Sequence, residues 1–378
     1  MRPESVREKD DPLAIVLKAA KLGELNRPLT WPTMALVING RSLARPVTGV
    51  ERYARMMIAI AAKEWPDCKI AVPSSMKTST KAFGCEVIRI PGNGGHAWEQ
   101  VLLPKALSKN DVLLSPANTG PLRVRRQAVV VHDLAVIHHP EWFDRRFAMW
   151  YRFLLPRLVH RVDRVISVSQ TSLTDIQRTL GVPLEKSSVV HPYSMIEPGV
   201  VTNAGIGSPY YLIVGSLDPR KGIDSAMAWY ASLDRPAFKL VQVGRTSTSF
   251  ASNVVPPVPG VIRLDEVNDE HLSALYHGAL ALIQLSQFEG FGLPILEAMQ
   301  HGCPVVASDL QVFRELFGDA PIFVDPTDHA RMNEATQELS QPAQREERVG
   351  AGRIRATHFS EARMTEELHV VLDPLLGC

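Results

Sequence analysis

Residues 282–309 read LIQLSQFEGFGLPILEAMQHGCPVVASD, and the fold is decided here. The apolar run from Leu282 to Leu285 reads as a buried strand that stops at Ser286 and Gln287. Gly290 and Gly292 in the next loop let the backbone come close to a bulky or charged neighbour. Pro294 suits the first turn of a helix, where its missing N–H would have had no intrahelical partner. That helix is predicted to run to about His301, end on Gly302 and feed a buried strand at Val305 and Val306. Strand, glycine loop, helix and strand in this order make the repeating unit of a parallel α/β sheet.

Gly290, Phe291, Gly292 and Leu293 would then offer amides at a helix N-terminus, which also carries the positive end of the helix dipole, so the loop suits an anion. Glu289 lies just before this loop, and Glu297 about one turn into the helix. Two carboxylates flanking an anion pocket suit a ligand with phosphates in the middle and hydroxyl-rich groups at both ends, as in a nucleotide-sugar. The same residues also read as a plain strand-to-helix turn with two solvated glutamates.

The string resembles, almost residue for residue, the signature of the retaining family 4 glycosyltransferases with the GT-B fold. The resemblance implies an α/β protein of two Rossmann-like, doubly wound domains facing a central cleft. It spans about Met34 to Leu376, with Gln287, Phe288 and Cys303 as departures from the common pattern.

The bulk properties agree with two domains. A chain of 378 residues suits two domains of ordinary size, each able to bury a core. Four cysteines without metal-like spacing point to a reducing compartment. The charged first residues, MRPESVREKDD, do not read as a signal peptide, and no run of about 18 apolar residues occurs. A cytoplasmic location is expected, with association at the inner face of the plasma membrane as a further possibility. Formal net charge is +1, yet residues 1–198 hold 28 lysines and arginines against 18 acids, and residues 199–378 hold 13 against 22. This suggests either an anionic partner for the first half or two domains that differ in surface composition.

The expected division is an N-terminal extension over 1–33, an acceptor-binding domain over 34–198, a nucleotide-sugar-binding domain over 199–356, and a last helix over 357–378 that crosses back to the first domain. No function attaches to the extension, whose apolar stretch from Leu13 to Leu22 could form an amphipathic helix. The boundary is placed in the Pro-, Gly- and Ser-rich run from about Pro192 to Pro209.

In the first half a strand over Ala35–Ile38 runs into a loop and a helix opening near Thr48-Gly49-Val50. The resemblance makes Gly49 a lining residue near a donor diphosphate, and Arg52 and Tyr53 lining residues on the acceptor side. The run AVVVHDLAVI is the clearest strand of this half and stops at His132 and Asp133, at the carboxyl end where open α/β sheets bind ligands. His132 reads either as a core histidine or, by the resemblance, as a contact to the transferred sugar. Asp133 reads as an acceptor-side base or a loop cap. The segment from Glu141 to Ser172 interleaves arginines with aromatic residues. It reads as a helix on an anionic bilayer or a lipid-linked diphosphate, or as a core helix with arginines on its wet face. Nothing else in the chain supports nucleic-acid binding.

In the second half, GSLDPRKGID places Arg220 and Lys221 after a strand and Gly215. Two adjacent cations can take the charge of a leaving diphosphate, and the resemblance implies that role. No Asp-x-Asp occurs, so neither a metal nor another cofactor is expected, and the nucleotide-sugar is a substrate. The resemblance implies a retaining hexosyltransferase in surface polysaccharide synthesis, with GDP-mannose or a UDP-sugar as donor and a saccharide, often lipid-linked, as acceptor. Arg220, Lys221, Glu289 and His132 would act on the reacting sugar, and Glu297 on the ribose. A nucleotide-sugar epimerase or hydrolase, and a non-catalytic subunit of an assembly complex, are the other readings.

Overall fold

The computed structural model describes residues 34–77, 81–82, 84–199, 204–234, 236–245 and 258–377. The N-terminal extension therefore lies outside the described residues. The chain forms two compact units that no single cut in the sequence separates. Unit 1 takes the residues up to Val130 with Arg157–Val165 and Val371–Cys378, and unit 2 takes Val131–Pro156 and Ile166–Val370. His132 and Asp133, from the first half of the chain, thus belong to the same unit as Arg220, Lys221 and Glu289.

Unit 1 contains β1 (Leu36–Asn39), α1 (Gly49–Glu64), β2 (Lys69–Pro73), β3 (Lys81–Ala82), β4 (Cys85–Ile90), α2 (Leu103–Ala106), β5 (Val112–Ser115) and β6 (Gln127–Val130). Its strands follow the order β3-β4-β2-β1-β5-β6, parallel except for the β3–β4 pair. β1, β5 and β6 are buried at every position, which explains why they read as unbroken apolar runs rather than as alternations. Thr48 and Glu51 form a capping box that starts α1.

The sequence assigned no partner to any cysteine, but the pairing of β2 with β4 brings Cys68 and Cys85 together in a disulfide, with the two Cα atoms 5.7 Å apart. Only the neighbourhood of these strands creates that pair, since 17 residues separate the two in sequence. Cys303 is a buried free thiol whose pKa burial pushes up to about 12.

Next along the chain come α3 (Ala135–His138), α4 (Arg145–Arg161), β7 (Arg164–Ser167), α5 (Gln170–Leu180) and β8 (Ser187–Val189). They are followed by β9 (Tyr210–Val214), α6 (Ile223–Ala231), β10 (Lys239–Val243), β11 (Val261–Leu264), α7 (Asp269–Gly278) and β12 (Leu282–Gln284). The chain closes with α8 (Leu293–Gln300), β13 (Val305–Ser308), α9 (Gln311–Phe317), β14 (Ile322–Val324), α10 (His329–Ser340), α11 (Pro342–Ala356) and α12 (Glu361–Leu376).

The six-stranded sheet of unit 2 runs β11-β10-β9-β12-β13-β14, all parallel. Numbered within the sheet this is 3-2-1-4-5-6, the doubly wound order in which the chain leaves the first strand in one direction and later returns on its other side. Its core packs Tyr211, Trp229, Leu240, Ile283 and Val306 with Met332. The expected strand-loop-helix-strand over 282–309 is present, with Gly302 at φ +68° just past the end of α8.

Candidate active site

The strand order of unit 2 places its switch point between β9 and β12, where connections diverge and a crevice opens at the carboxyl ends. The segment after β9 carries Arg220 and Lys221, and the segment after β12 carries Glu289, so residues 68 apart in sequence meet there.

The Arg220–Lys221 turn is set by Asp218. Its carboxylate accepts from the Arg220 amide at 3.0 Å and from Arg220 Nε at 2.8 Å, so a short side chain both caps the turn and aims the guanidinium. Arg220 also donates to Asp133 Oδ2 at 3.2 Å, and its Cζ lies 5.7 Å from the Phe143 ring centroid. Burial works against the Arg220 charge, but Asp133, Asp218 and Glu289 outweigh it and raise the pKa above the usual guanidinium range. Arg220 is therefore a fixed cation. Gly222, at φ +62°, could not carry a side chain, since a Cβ there would lie 1.7 Å from the Leu285 carbonyl oxygen. This close approach locks the two loops together, as does the bond from the Gln287 amide to the Arg220 carbonyl at 2.7 Å.

Glu289 Oε1 accepts from Lys221 Nζ at 2.6 Å, from Ser286 Oγ at 2.9 Å and from Gln284 Nε2 at 3.4 Å. Three donors on one oxygen fix the carboxylate's direction. Ser286 and Gln284 lie outside the motif residues that sequence reasoning selected, although the polar stop after β12 marked their position. Gly215 lies under the stem of Lys221, with the lysine Cγ 3.5 Å from where a Cβ would stand.

A Cβ on Gly290 would lie 2.3 Å from the His132 carbonyl oxygen, so the close approach that requires glycine is to protein backbone. Ser169 Oγ donates to the Gly290 carbonyl at 2.8 Å and holds the loop from the other side. Gly292, at φ +104°, is the N-cap of α8. Phe291 is a core anchor, edge-on to Phe317 at 5.9 Å and to Phe359 at 5.3 Å. No hydrogen bond among the described residues uses the amides of Gly290, Phe291, Gly292 or Leu293.

The other expected residues are placed as follows. His132 is buried, and it meets the site through its backbone at Gly290. Asp133 accepts from the Ala135 amide at 2.9 Å and so caps α3 while it pairs with Arg220. Glu297 is 3% exposed and accepts from Tyr276 OH at 2.7 Å. Tyr276, on α7, went unrecognised in sequence, where its spacing marks only a core position. Gly49, Arg52 and Tyr53 belong to unit 1 on α1, and Tyr53 is a core side chain, 1% exposed. No group of three or more His, Cys, Asp or Glu suited to a metal ion occurs among the described residues.

A model of "Glycosyl transferases group 1" matches residues 202–353, and one of "Glycosyltransferase Family 4" matches residues 47–193. The chain is 32% identical over 234 residues to the O-antigen chain mannosyltransferase RfbU of Salmonella typhimurium, a match covering 59% of this chain and 63% of that protein. It is 31% identical over 257 residues to the serotype-specific mannosyltransferase WbdA of Escherichia coli, covering 56% and 31% respectively. The chain thus spans less than two thirds of the length of these curated relatives. Among solved structures it is similar to WaaG, a glycosyltransferase involved in lipopolysaccharide biosynthesis, with a TM-score of 0.65, 16% identity, and coverage of 89% of this chain and 99% of that one. It is also similar to Anabaena HepE in complex with UDP-glucose, with a TM-score of 0.69, 16% identity, and coverage of 90% and 100%. At such identities the likeness concerns the fold.

Proposed function

Because the chain belongs to the family 4 glycosyltransferases of GT-B fold, we propose that it moves a hexose, with mannose first, from a nucleotide-sugar to an acceptor hydroxyl with retention of anomeric configuration. The observation that carries this reading is the meeting of Arg220, Lys221 and Glu289 at the switch point of the unit 2 sheet. Arg220 and Lys221 take the charge that builds on the departing diphosphate, together with the amides at the start of α8. Glu289, aimed by Lys221 and Ser286, accepts from hydroxyls of the transferred sugar. His132 contacts the sugar near its anomeric carbon. Glu297, oriented by Tyr276, serves the nucleoside side. The reaction uses front-face attack, with the leaving phosphate helping to deprotonate the acceptor, and no metal. Relatives named as mannosyltransferases of O-antigen chains support GDP-mannose as the first donor to try, and a lipid-linked saccharide in surface polysaccharide synthesis as acceptor.

Isothermal titration with GDP, UDP, GDP-mannose and UDP-glucose tests the donor, and absence of binding by all four would sink the reading. Glu289→Gln and Lys221→Ala are each expected to lower turnover by about two orders of magnitude or more, as for other preorganised electrostatic groups. Wild-type turnover in both variants would remove the assigned roles. Product NMR reports the anomeric configuration directly, and an acceptor-free incubation that yields a new sugar would favour an epimerase or hydrolase.

Association with an anionic membrane surface is part of the proposal. α4 buries Ala148, Tyr151, Leu154 and Leu155, yet leaves Met149 69% and Phe153 47% exposed beside Arg145, Arg146 and Arg152. Apolar groups bordered by cations suit an interface with acidic headgroups. No described helix is long and apolar enough to cross a membrane. Sedimentation with vesicles containing phosphatidylserine is expected to fall at high salt and in Met149→Ser/Phe153→Ser. Equal binding to neutral vesicles would remove the electrostatic part.

A further inference from the structure

Unit 2 carries a group of aromatic rings beside the charged cluster that the proposed chemistry leaves unused. His139 stacks on Trp142 with centroids 3.9 Å apart and planes 14° from parallel. Phe288, the residue before Glu289, meets His139 edge-on at 5.9 Å and His138 at 6.0 Å. A single 3-10 turn over Pro140–Trp142 creates the stack, because the Trp142 amide bonds back to the His139 carbonyl at 3.2 Å. His139, Trp142 and Phe288 are all half-buried, so their rings are held together without being sealed in the core. The rim is polar: His138 Nε2 lies 2.9 Å from both oxygens of Asp175, and His139 Nδ1 lies 3.1 Å from Glu141 Oε1.

The ring group shares two segments with the charged cluster, the one after β6 and the one after β12, while Arg220 and Lys221 come from the segment after β9. Asp133, which pairs with Arg220, caps the short helix that ends at His138. Phe143, one residue past Trp142, faces the Arg220 guanidinium. A ligand lying on the rings therefore reaches toward Glu289 and Arg220.

We propose that His139, Trp142 and Phe288 form a stacking subsite for a pyranose ring of the acceptor saccharide. This rests on the glycosyltransferase reading and extends it to how the acceptor is held. A pyranose has one face of C–H groups and a rim of hydroxyls. Aromatic rings cover the first, while carboxylates such as Asp175 and Glu141 accept from the second. The chain of a lipid carrier would require an apolar rim, and this rim is charged.

The test uses the full chain with saturating GDP and NMR titration of mannotriose, maltotriose and chitotriose, with farnesyl phosphate as a fourth probe for the lipid part of a carrier. Trp142→Ala and Phe288→Ala are each expected to raise Kd for at least one trisaccharide about three- to tenfold, in line with the loss of one aromatic contact. Trp142→Phe should recover most of that loss, with GDP affinity unchanged in all three variants. Unaltered saccharide affinity in both alanine variants overturns the subsite. So does an equal loss of GDP affinity, a loss confined to farnesyl phosphate, or a wild-type protein that binds GDP and none of the trisaccharides. A wild-type protein that binds no nucleotide overturns instead the reading beneath it.

Discussion

Gly290 shows how one residue can be right in a motif for a reason the motif does not state. The glycine was expected where backbone comes close to a bulky or charged neighbour, and the His132 carbonyl fills the space a Cβ would occupy. Gly290→Ala is expected to destabilise unit 2 by about 1–3 kcal/mol, the usual cost of forcing a methyl into packed backbone. Urea unfolding measures this, and unchanged stability would mean that the loop can withdraw from His132. Turnover should fall as well, since the same loop carries Glu289. At this scale the motif residues Arg220, Lys221 and Glu289 were legible because their types and spacing are particular. Ser286, Asp218 and Tyr276 were not singled out, since a serine after a strand, an aspartate before a turn and a tyrosine in a helix are common and have ordinary explanations.

Among elements, α12 shows how a charge holds a helix in place. His191, just after β8, gives its amide to Glu367 at 2.6 Å and its Nδ1 lies 2.8 Å from the same carboxylate, which Arg363 also reaches at 2.9 Å. Burial would raise the Glu367 pKa, but the bonds from His191 and Arg363 outweigh it and hold the carboxyl below its ordinary value of 4.5. A depressed carboxyl pKa stabilises the fold above the unfolded value and loses that contribution as pH falls through the folded value. Glu367→Gln is expected to cost about 1–3 kcal/mol at pH 7, and the difference from wild type should shrink below about pH 4. Chemical denaturation at pH 7 and about pH 3 decides it, and a pH-independent difference would assign the loss to packing. Helix and strand positions were readable from apolar runs and glycine stops, but the partner that fixes this helix lies 176 residues away. Local pattern has no access to such a contact.

At the scale of the whole molecule, stability against acid depends on a group far from the proposed chemistry. Burial, with help from the charges of Arg41 and Arg45, lowers the His96 pKa to about 3 in unit 1. Arg41 is itself held in a buried network, donating to Glu99 at 3.0 Å and to Thr119 at 3.1 Å, so its charge cannot move away. His96 is thus neutral in the fold while the unfolded chain takes up a proton near pH 6.5, and stability falls as pH drops below that value. From pH 7 to pH 5 the loss from this one group is about 1–2 kcal/mol. His96→Gln should flatten the decline of Tm over that interval, and an unchanged slope would show that another group dominates. The sequence by itself determined the α/β class, the alternation of strands and helices and the residue types of the site, because apolar periodicity, glycine and proline act within a few residues of where they stand. Only the tertiary structure decided that Lys221 meets Glu289, that Arg220 meets Asp133 across 87 residues, that Gly290 packs on His132 and that Cys68 joins Cys85. Those pairings depend on the order of strands in each sheet, which is set when distant apolar runs are buried together.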